Sequence, residues 1–432
     1  MGYNIQGVCF GHPNRYKHIA AIERNECQKE GTHHMTKSKG WKRNRGPLAL
    51  LSFNLFIVMV GIGLVIPILP FYVEKFNANA QTLGALVAVF AFMQFLFAPV
   101  WGRLSDRIGR KPLITIGLIG FAIAEFIFAF AVGLWMLFLS RILAGVFGSA
   151  LMPTAMAYVS DVTDEDNRGR GMGILGAAMG LGIVIGPGIG GWLAEINLSY
   201  PFIFAGVAAS IAAIVSVIIL PESYPKEKRT YDPDEKRENR FVVMKNAVMS
   251  PVGFLLILVF IMSFGLANFQ SIFSYYALER YGYGPQQVGI IILIIGIIGT
   301  LVQGIGVGRA TKRFGEEKVV TGSLLLSAVG FIIMNFATDF TGVLLTTAVF
   351  FIGNSMLRPS LNSLISKLAG KRQGTVMGLN NSFLSLGNVA GPLLAGTLFE
   401  WDIHIPYYFG AFVMLVGLLA TKVWIRKNKK EK

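Results

Sequence analysis

Three ionisable side chains stand inside otherwise apolar runs of this sequence: Glu125 in GFAIAEFIFAF, Arg141 in MLFLSRILAGVF and Arg358 in GNSMLRPSL. A carboxyl held away from water can take up and release a proton, and a neighbouring guanidinium can balance its charge. Charge in such surroundings is costly and marks function more often than accident. Glu125 lies seven residues before Val132 and Arg141 seven residues after Leu134. On two helices joined by a short turn both then sit ~10 Å below the same surface, close enough to pair. Two readings stay open: a static ion pair that holds two helices together, or a proton-coupling pair with Glu125 as the proton carrier.

Three further groups carry chemical information. GRLSDRIGRKP, Gly102 to Pro112, sets Asp106 among Arg103, Arg107, Arg110 and Lys111, with Gly102 and Gly109 placed to permit a tight reversal and Pro112 suited to the first turn of a helix. In LGIVIGPGIGG, Gly182, Gly186 and Gly190 fall four apart on one helix face, which allows close helix contact; Pro187 withdraws a backbone donor beside Gly191. Asn54, Gln94, Asn268, Gln270, Tyr275, Asn354, Ser355, Arg358 and Asn380 supply scattered polar groups amid Phe and Met, a mixture suited to a cavity for amphipathic ligands. Arg358 favours an anionic or zwitterionic ligand, or else pairs with a helix end. An enzyme finds little support: there is no Gly-Lys-Ser/Thr phosphate loop, no metal-ligand cluster in the apolar part, and His404 stands alone. No cofactor is expected.

The elements that position these groups follow from composition. Of 432 residues, 53% are hydrophobic and only 15% charged. The apolar residues come in uninterrupted blocks, each long enough to cross a bilayer. Twelve such runs are predicted: 48–70, 81–101, 112–132, 134–157, 172–194, 201–220, 251–275, 287–307, 319–337, 341–364, 375–398 and 405–425. The net charge of +15 raises the question of nucleic acid, but the position of the cations argues against that partner. From Met35 onward, 31 Lys and Arg fall in the even-numbered connections and the two tails, against two, Lys75 and Arg280, in the odd-numbered ones. That asymmetry places both termini in the cytoplasm.

Residues 1–34 are polar and hold Cys9, Cys27 and four of the five histidines. They lack the apolar core of a signal peptide. Their ligand spacing is not that of a metal site, and a cytoplasmic extension competes with a mis-set translation start. QKEG just before Met35 favours the latter, being what a ribosome-binding sequence would encode. The rest repeats itself. Gly102, Arg103, Arg107 and Gly109 return 206 residues later as Gly308, Arg309, Arg313 and Gly315; Pro153 returns as Pro359. At a shift of 205, Gly182, Gly186, Pro187, Gly191 and Glu195 return as Gly387, Gly391, Pro392, Gly396 and Glu400. The expected fold is an all-α polytopic membrane protein with twelve transmembrane helices in two pseudo-symmetric six-helix bundles, residues 35–220 and 250–432, joined by a charged cytoplasmic linker at 221–249.

The loop pattern Gly-x-Leu-x-Asp-Arg-x-Gly-Arg-Lys, filled by Gly102, Leu104, Asp106, Arg107, Gly109, Arg110 and Lys111, resembles that of the major facilitator superfamily. GIGLVIPILP, Gly61 to Pro70, and the span-five glycine-proline run resemble the twelve-span drug:proton antiporters; LRPSLNSLIS and AGKRQGTVMGLNNSFLSLGNVAGPLLAG resemble their quinolone and multidrug exporter branch. The resemblance runs from about Phe53 to Lys422. It implies a monomeric secondary transporter of the cell membrane that exports amphipathic small molecules by alternating access, driven by protons. It further implies that Asp106 approaches the start of span eleven, near Gly374 and Thr375, when the protein faces outward; the second copy has Lys312 where the first has Asp106, which makes the latch asymmetric. Arg141 with Gly145 resembles the span-four pattern tied to proton transfer, although Ala144 replaces the usual polar residue. One departure stands out: Gln270 and Ser355 occupy positions in spans seven and ten where that branch commonly carries acids. A sugar exporter or a glycolipid flippase of the same superfamily is the alternative.

Overall fold

A computed structural model describes residues 45–225, 227, 248, 249, 252–369 and 373–430. Residues 1–34 and most of the expected linker lie outside the described residues. Twelve helices are long and apolar enough to cross a membrane: Gly46–Lys75, Ala80–Ile108, Arg110–Ala129, Leu134–Val162, Asn167–Ile196, Tyr200–Ile219, Gly253–Tyr281, Pro285–Phe314, Glu316–Met334, Phe340–Ala369, Val376–Phe399 and Ile405–Lys427. They are numbered here as spans one to twelve. Large apolar side chains such as Ile211, Val217, Ile218, Phe412 and Leu419 face outward on their surfaces, as expected where lipid rather than water is the solvent.

The packing pattern is repeated. Span one packs on five, three on six, and two and three on four; span seven packs on eleven, nine on twelve, and nine and eight on ten. Contact between the halves is made chiefly by span two with eleven and span five with eight. The two bundles share their apolar core at one end only. Val65, Ile68, Leu69, Leu83 and Leu86 of the first half are continuous with Phe269, Ile272, Val288 and Ile291 of the second. The opposite end of the first half keeps a separate core around Leu48, Leu55, Ile114, Tyr158 and Leu175.

Local irregularities have identifiable causes. Span four breaks between Gly148 and Leu151, and Pro153, which has no N–H, removes the bond that the carbonyl of Ser149 would have accepted. Pro359, its repeat partner, leaves span ten continuous. Span eight widens into a π-type turn over Val302–Gly306. The run Gly102–Lys111 is less of a loop than its composition suggests: span two continues as helix to Ile108, and the reversal falls on Gly109 alone, at φ 102°. Its counterpart Gly315 has φ 81°. A side chain at either position would meet backbone strain. Gly102 is an ordinary helical residue whose added Cβ would touch nothing.

Candidate functional site

Spans three and four bring Glu125 and Arg141 together inside the first bundle. Arg141 Nη2 donates to Glu125 Oε1 at 3.3 Å, and the side chains are 5% and 0% exposed. Glu125 Oε2 and Arg141 Nε have no partner. The guanidinium carbon lies 4.6 Å from the Phe128 ring centroid and 6.0 Å from that of Phe90. Ser140, beside the pair, donates to the carbonyl of Ala124 at 2.7 Å and fixes the two helices in register. The pair is therefore enclosed, with one carboxylate oxygen and one guanidinium nitrogen left without a partner among the described residues. A carboxyl so placed has one charge partner whose removal would change its affinity for a proton.

At the other end of the same bundle, Arg110 organises the charged run. Its Nη1 donates to Asp106 Oδ1 at 2.6 Å and to Ser105 Oγ at 2.8 Å; its Nε donates to Asp161 Oδ2 at 3.0 Å. The Arg110 N–H donates to Glu222 Oε1 at 2.9 Å, and the guanidinium stacks 4.6 Å from the Tyr224 ring. Asp161, Glu222 and Tyr224 were missed from the sequence; each follows the end of an apolar run, where a charge reads as a solvated flank. Asp106 is 58% exposed and bound within its own bundle, free to be drawn elsewhere. Lys111 is half-buried and Arg107 exposed. Asp106→Asn is expected to slow substrate turnover roughly tenfold, the scale of one charge-assisted bond, with membrane insertion unchanged. Initial export rates per inserted protein in proteoliposomes measure it.

The glycine-proline run of span five serves two contacts. An added Cβ at Gly182, Gly186 or Gly190 would meet the span-one backbone at Phe56, Val60 or Leu64 within 2.8 Å. Gly191 instead faces the second bundle, where a Cβ would lie 2.4 Å from the carbonyl oxygen of Pro285; Gly289 in turn would meet the carbonyl oxygen of Pro187 at 2.5 Å. The opposite halves of these helices are apart: a Cβ at Gly169, Gly173, Gly176, Gly304 or Gly308 would touch nothing. The bundles are closed at the end carrying Lys75 and Arg280 and parted at the end carrying the basic clusters.

The polar groups expected in the cavity separate into two sets. Asn54 donates to Ser216 Oγ at 2.6 Å, Asn268 to the carbonyl of Pro406 at 3.3 Å, and Asn354 to the carbonyl of Met262 at 3.3 Å, all three buried between helices of their own bundle. Asn380 is buried as well. An amide in hydrocarbon finds its acceptor across a helix contact, and in this conformation these asparagines point into such contacts rather than into open space. Tyr275 packs edge-on to Phe399, centroids 5.3 Å apart, near the closed end. Gln94, Gln270 and Ser355 are half-buried, Ser355 lying against Gly299 of span eight. Arg358 is exposed within span ten and has no hydrogen-bond or ion-pair partner among the described residues.

His404 is not isolated. Its Nδ1 lies 2.8 Å from Asn335 Oδ1 and 3.1 Å from Arg280 Nη1, and its N–H donates to Asp402 at 2.7 Å. Burial, and then the Arg280 guanidinium, hold the imidazole below its ordinary range, with Asp402 opposing. The folded state therefore prefers the neutral ring, so its stabilising contribution is present above the usual histidine range, ~6.5, and is lost as pH falls below it. His404→Gln is expected to flatten that acid-side loss in thermal unfolding of the purified protein.

Two bundles of six spans, one closed contact end and an enclosed ionic pair together define a membrane transporter of the alternating-access class. The profile of the Major Facilitator Superfamily matches residues 51–306 and 255–432, and the chain belongs to that superfamily. Multidrug resistance protein 2 of Bacillus subtilis (strain 168) is 38% identical over 380 residues, 88% of this chain and 95% of the relative. Quinolone resistance protein NorA of Staphylococcus aureus (strain COL) is 37% identical over 376 residues, 87% of this chain and 95% of that one. In fold, the chain is similar to the crystal structure of the human organic anion transporter MFSD10 (TETRAN), with a TM-score of 0.65 at 22% identity over 88% of this chain and 99% of that one. The superfamily is one of transporters, not enzymes.

Proposed function

We propose that this protein is a proton-coupled exporter of amphipathic small molecules, drugs among them, acting as a monomer in the cell membrane with both termini in the cytoplasm and no cofactor. The observation that carries the reading is the match over nearly the whole length of relatives named for multidrug and quinolone resistance. With the basic clusters placed in the cytoplasm the parted end faces inward, which supports it, since an exporter loads from the cytoplasm. Glu125 and Arg141 are the proposed proton-coupling pair. Asp106 and Arg110, with Gly102, Arg107, Gly109 and Lys111 around them, are the proposed cytoplasmic gate.

The proposed cavity is electropositive. Gln270 and Ser355 contribute no charge, while Arg358 is exposed and has no partner among the described residues. A guanidinium without a counter-ion selects carboxylate-bearing or zwitterionic compounds through bidentate hydrogen bonds. Arg358→Gln is expected to reduce export of quinolone carboxylates roughly tenfold while sparing cationic dyes, a charge-assisted bond being worth that factor or more. Inverted vesicles energised with a proton gradient, loaded with quinolones, dyes, tetracyclines or sugars and challenged with an uncoupler, test both statements. Uncoupler-sensitive drug uptake is expected; uptake of sugars alone overturns the reading.

A further inference from the structure

The glutamates that end the repeated glycine-proline runs, Glu195 and Glu400, are unused by the site described above. In the structure those runs form the same outer clasp twice. Pro187 and Gly191 of span five meet Pro285 and Gly289 of span eight; Pro392 and Gly396 of span eleven meet Ala80 and Gly84 of span two, every position displaced by 205 residues. Each clasp sets a glutamate beside the first turn of a helix that belongs to the opposite bundle.

The two clasps are not equivalent. Glu400 Oε1 accepts the N–H of Ala80 at 2.7 Å and that of Gln81 at 3.3 Å, while the side chain of Asn79 accepts the N–H of Thr82 at 3.0 Å. The leading amides of span two are thereby satisfied, two of them from across the bundle interface, and the carboxylate also meets the positive end of the helix. At span eight the counterpart of Ala80 is Pro285, which has no N–H to give. The N–H of Gly284 is taken by Gln287 Oε1 at 2.9 Å. Glu195 Oε2 lies next to Gly284, yet Glu195 accepts no hydrogen bond among the described residues.

The geometry points to Glu400 as a positioning residue of the transport cycle: a one-sided latch that holds the outer end shut in the inward-facing state and must break whenever that end opens. It touches no substrate. Because Ala80 and Glu400 sit on opposite bundles, parting the outer ends removes both bonds at once. Glu74 of span one and Glu279 of span seven are near enough for the latter to feel the charges of Glu74 and Glu400.

Ser274 reports on the outer gap, being fully buried with its Oγ donating to the carbonyl of Ile66 of the opposite bundle at 3.2 Å. With Cys9 and Cys27 replaced by serine, a Ser274→Cys reporter in intact cells is labelled by a membrane-impermeant maleimide only during outward opening. Glu400→Ala is expected to raise that labelling rate roughly fivefold, a charge-assisted bond discounted for its exposure. Glu195→Ala is expected to leave it unchanged. Pro285→Ala with Gln287→Ala offers Glu195 the missing amides and is expected to slow labelling, both in the native background and in Glu400→Ala. An unchanged rate in Glu400→Ala, or an equal rise in Glu195→Ala, overturns the assignment. Should Glu400→Ala fail to insert, an unchanged rate in the Pro285→Ala, Gln287→Ala protein overturns it. No substrate is needed, so the outcome is independent of whether the export reading holds.

Discussion

Glu125→Gln is expected to abolish pH-driven export in proteoliposomes while substrate binding without a gradient is retained. The argument rests on enclosure. Glu125 is wholly buried, its charge partner among the described residues is Arg141, and one of its oxygens has no hydrogen bond there. Removing the carboxylate charge leaves a guanidinium held by the Ser140 hydroxyl at 3.4 Å and the faces of Phe128 and Phe90, with no counter-charge. Breaking one side of a buried pair costs about 3–5 kcal/mol, whatever the pair does for a living protein. Loss of activity in the single variant therefore does not separate a coupling pair from a structural one.

The double variant Glu125→Gln, Arg141→Gln makes that separation. With both charges gone, no uncompensated ion remains, and thermal stability is expected to recover most of what either single variant loses. A structural pair predicts that export returns with it. A coupling pair predicts a stable protein that equilibrates substrate but no longer concentrates it against a proton gradient, and this is the outcome expected. A double variant that exports at the native rate would demote Glu125 to scaffold.

How much of this could be read from the chain alone depends on the range of the interaction involved. The twelve spans were legible because hydrocarbon tolerates no unsatisfied backbone, so each crossing must be a continuous apolar helix. Gly109 was legible as a reversal, since positive φ leaves few alternatives to glycine, but Gly102, read the same way, lies inside the helix, and Gly315 was visible only as the repeat of Gly109. The break in span four was half legible: Pro153 is visible, but the same residue type at Pro359 leaves its helix continuous, because tertiary packing decides whether the freed carbonyl is tolerated. The asparagines fared worst. A helix turns about 100° per residue, so a single Asn in an apolar run does not reveal which side faces a neighbour. Asn54, Asn268 and Asn354 went to partners 162, 138 and 92 residues away. Asp161 and Glu222 escaped notice for the opposite reason: they lie where charge is ordinary, and only the fold brings them to Arg110.

Gly84→Leu and Gly102→Leu are expected to trap the protein in opposite states. At Gly84 even a Cβ would lie 2.2 Å from the carbonyl oxygen of Pro392, a backbone atom of the other bundle that no rotamer change can move. A leucine there forces the outer ends apart, and overpacking of a tight contact costs about 1–3 kcal/mol or more, a factor of roughly five to 150 in population. Gly102 meets nothing in the inward-facing arrangement, so a leucine is accommodated as the protein stands. Its helix face lies on the parted cytoplasmic end, and when that end closes the added side chain must be compressed against the approaching bundle. With the Ser274→Cys reporter, Gly84→Leu should raise outer labelling tenfold or more and Gly102→Leu should lower it, both losing export because neither completes the cycle. If both variants shifted labelling in the same direction, the two ends would not be opposed, and the closed outer contact seen here would be a fixed feature of the fold rather than one position of a gate.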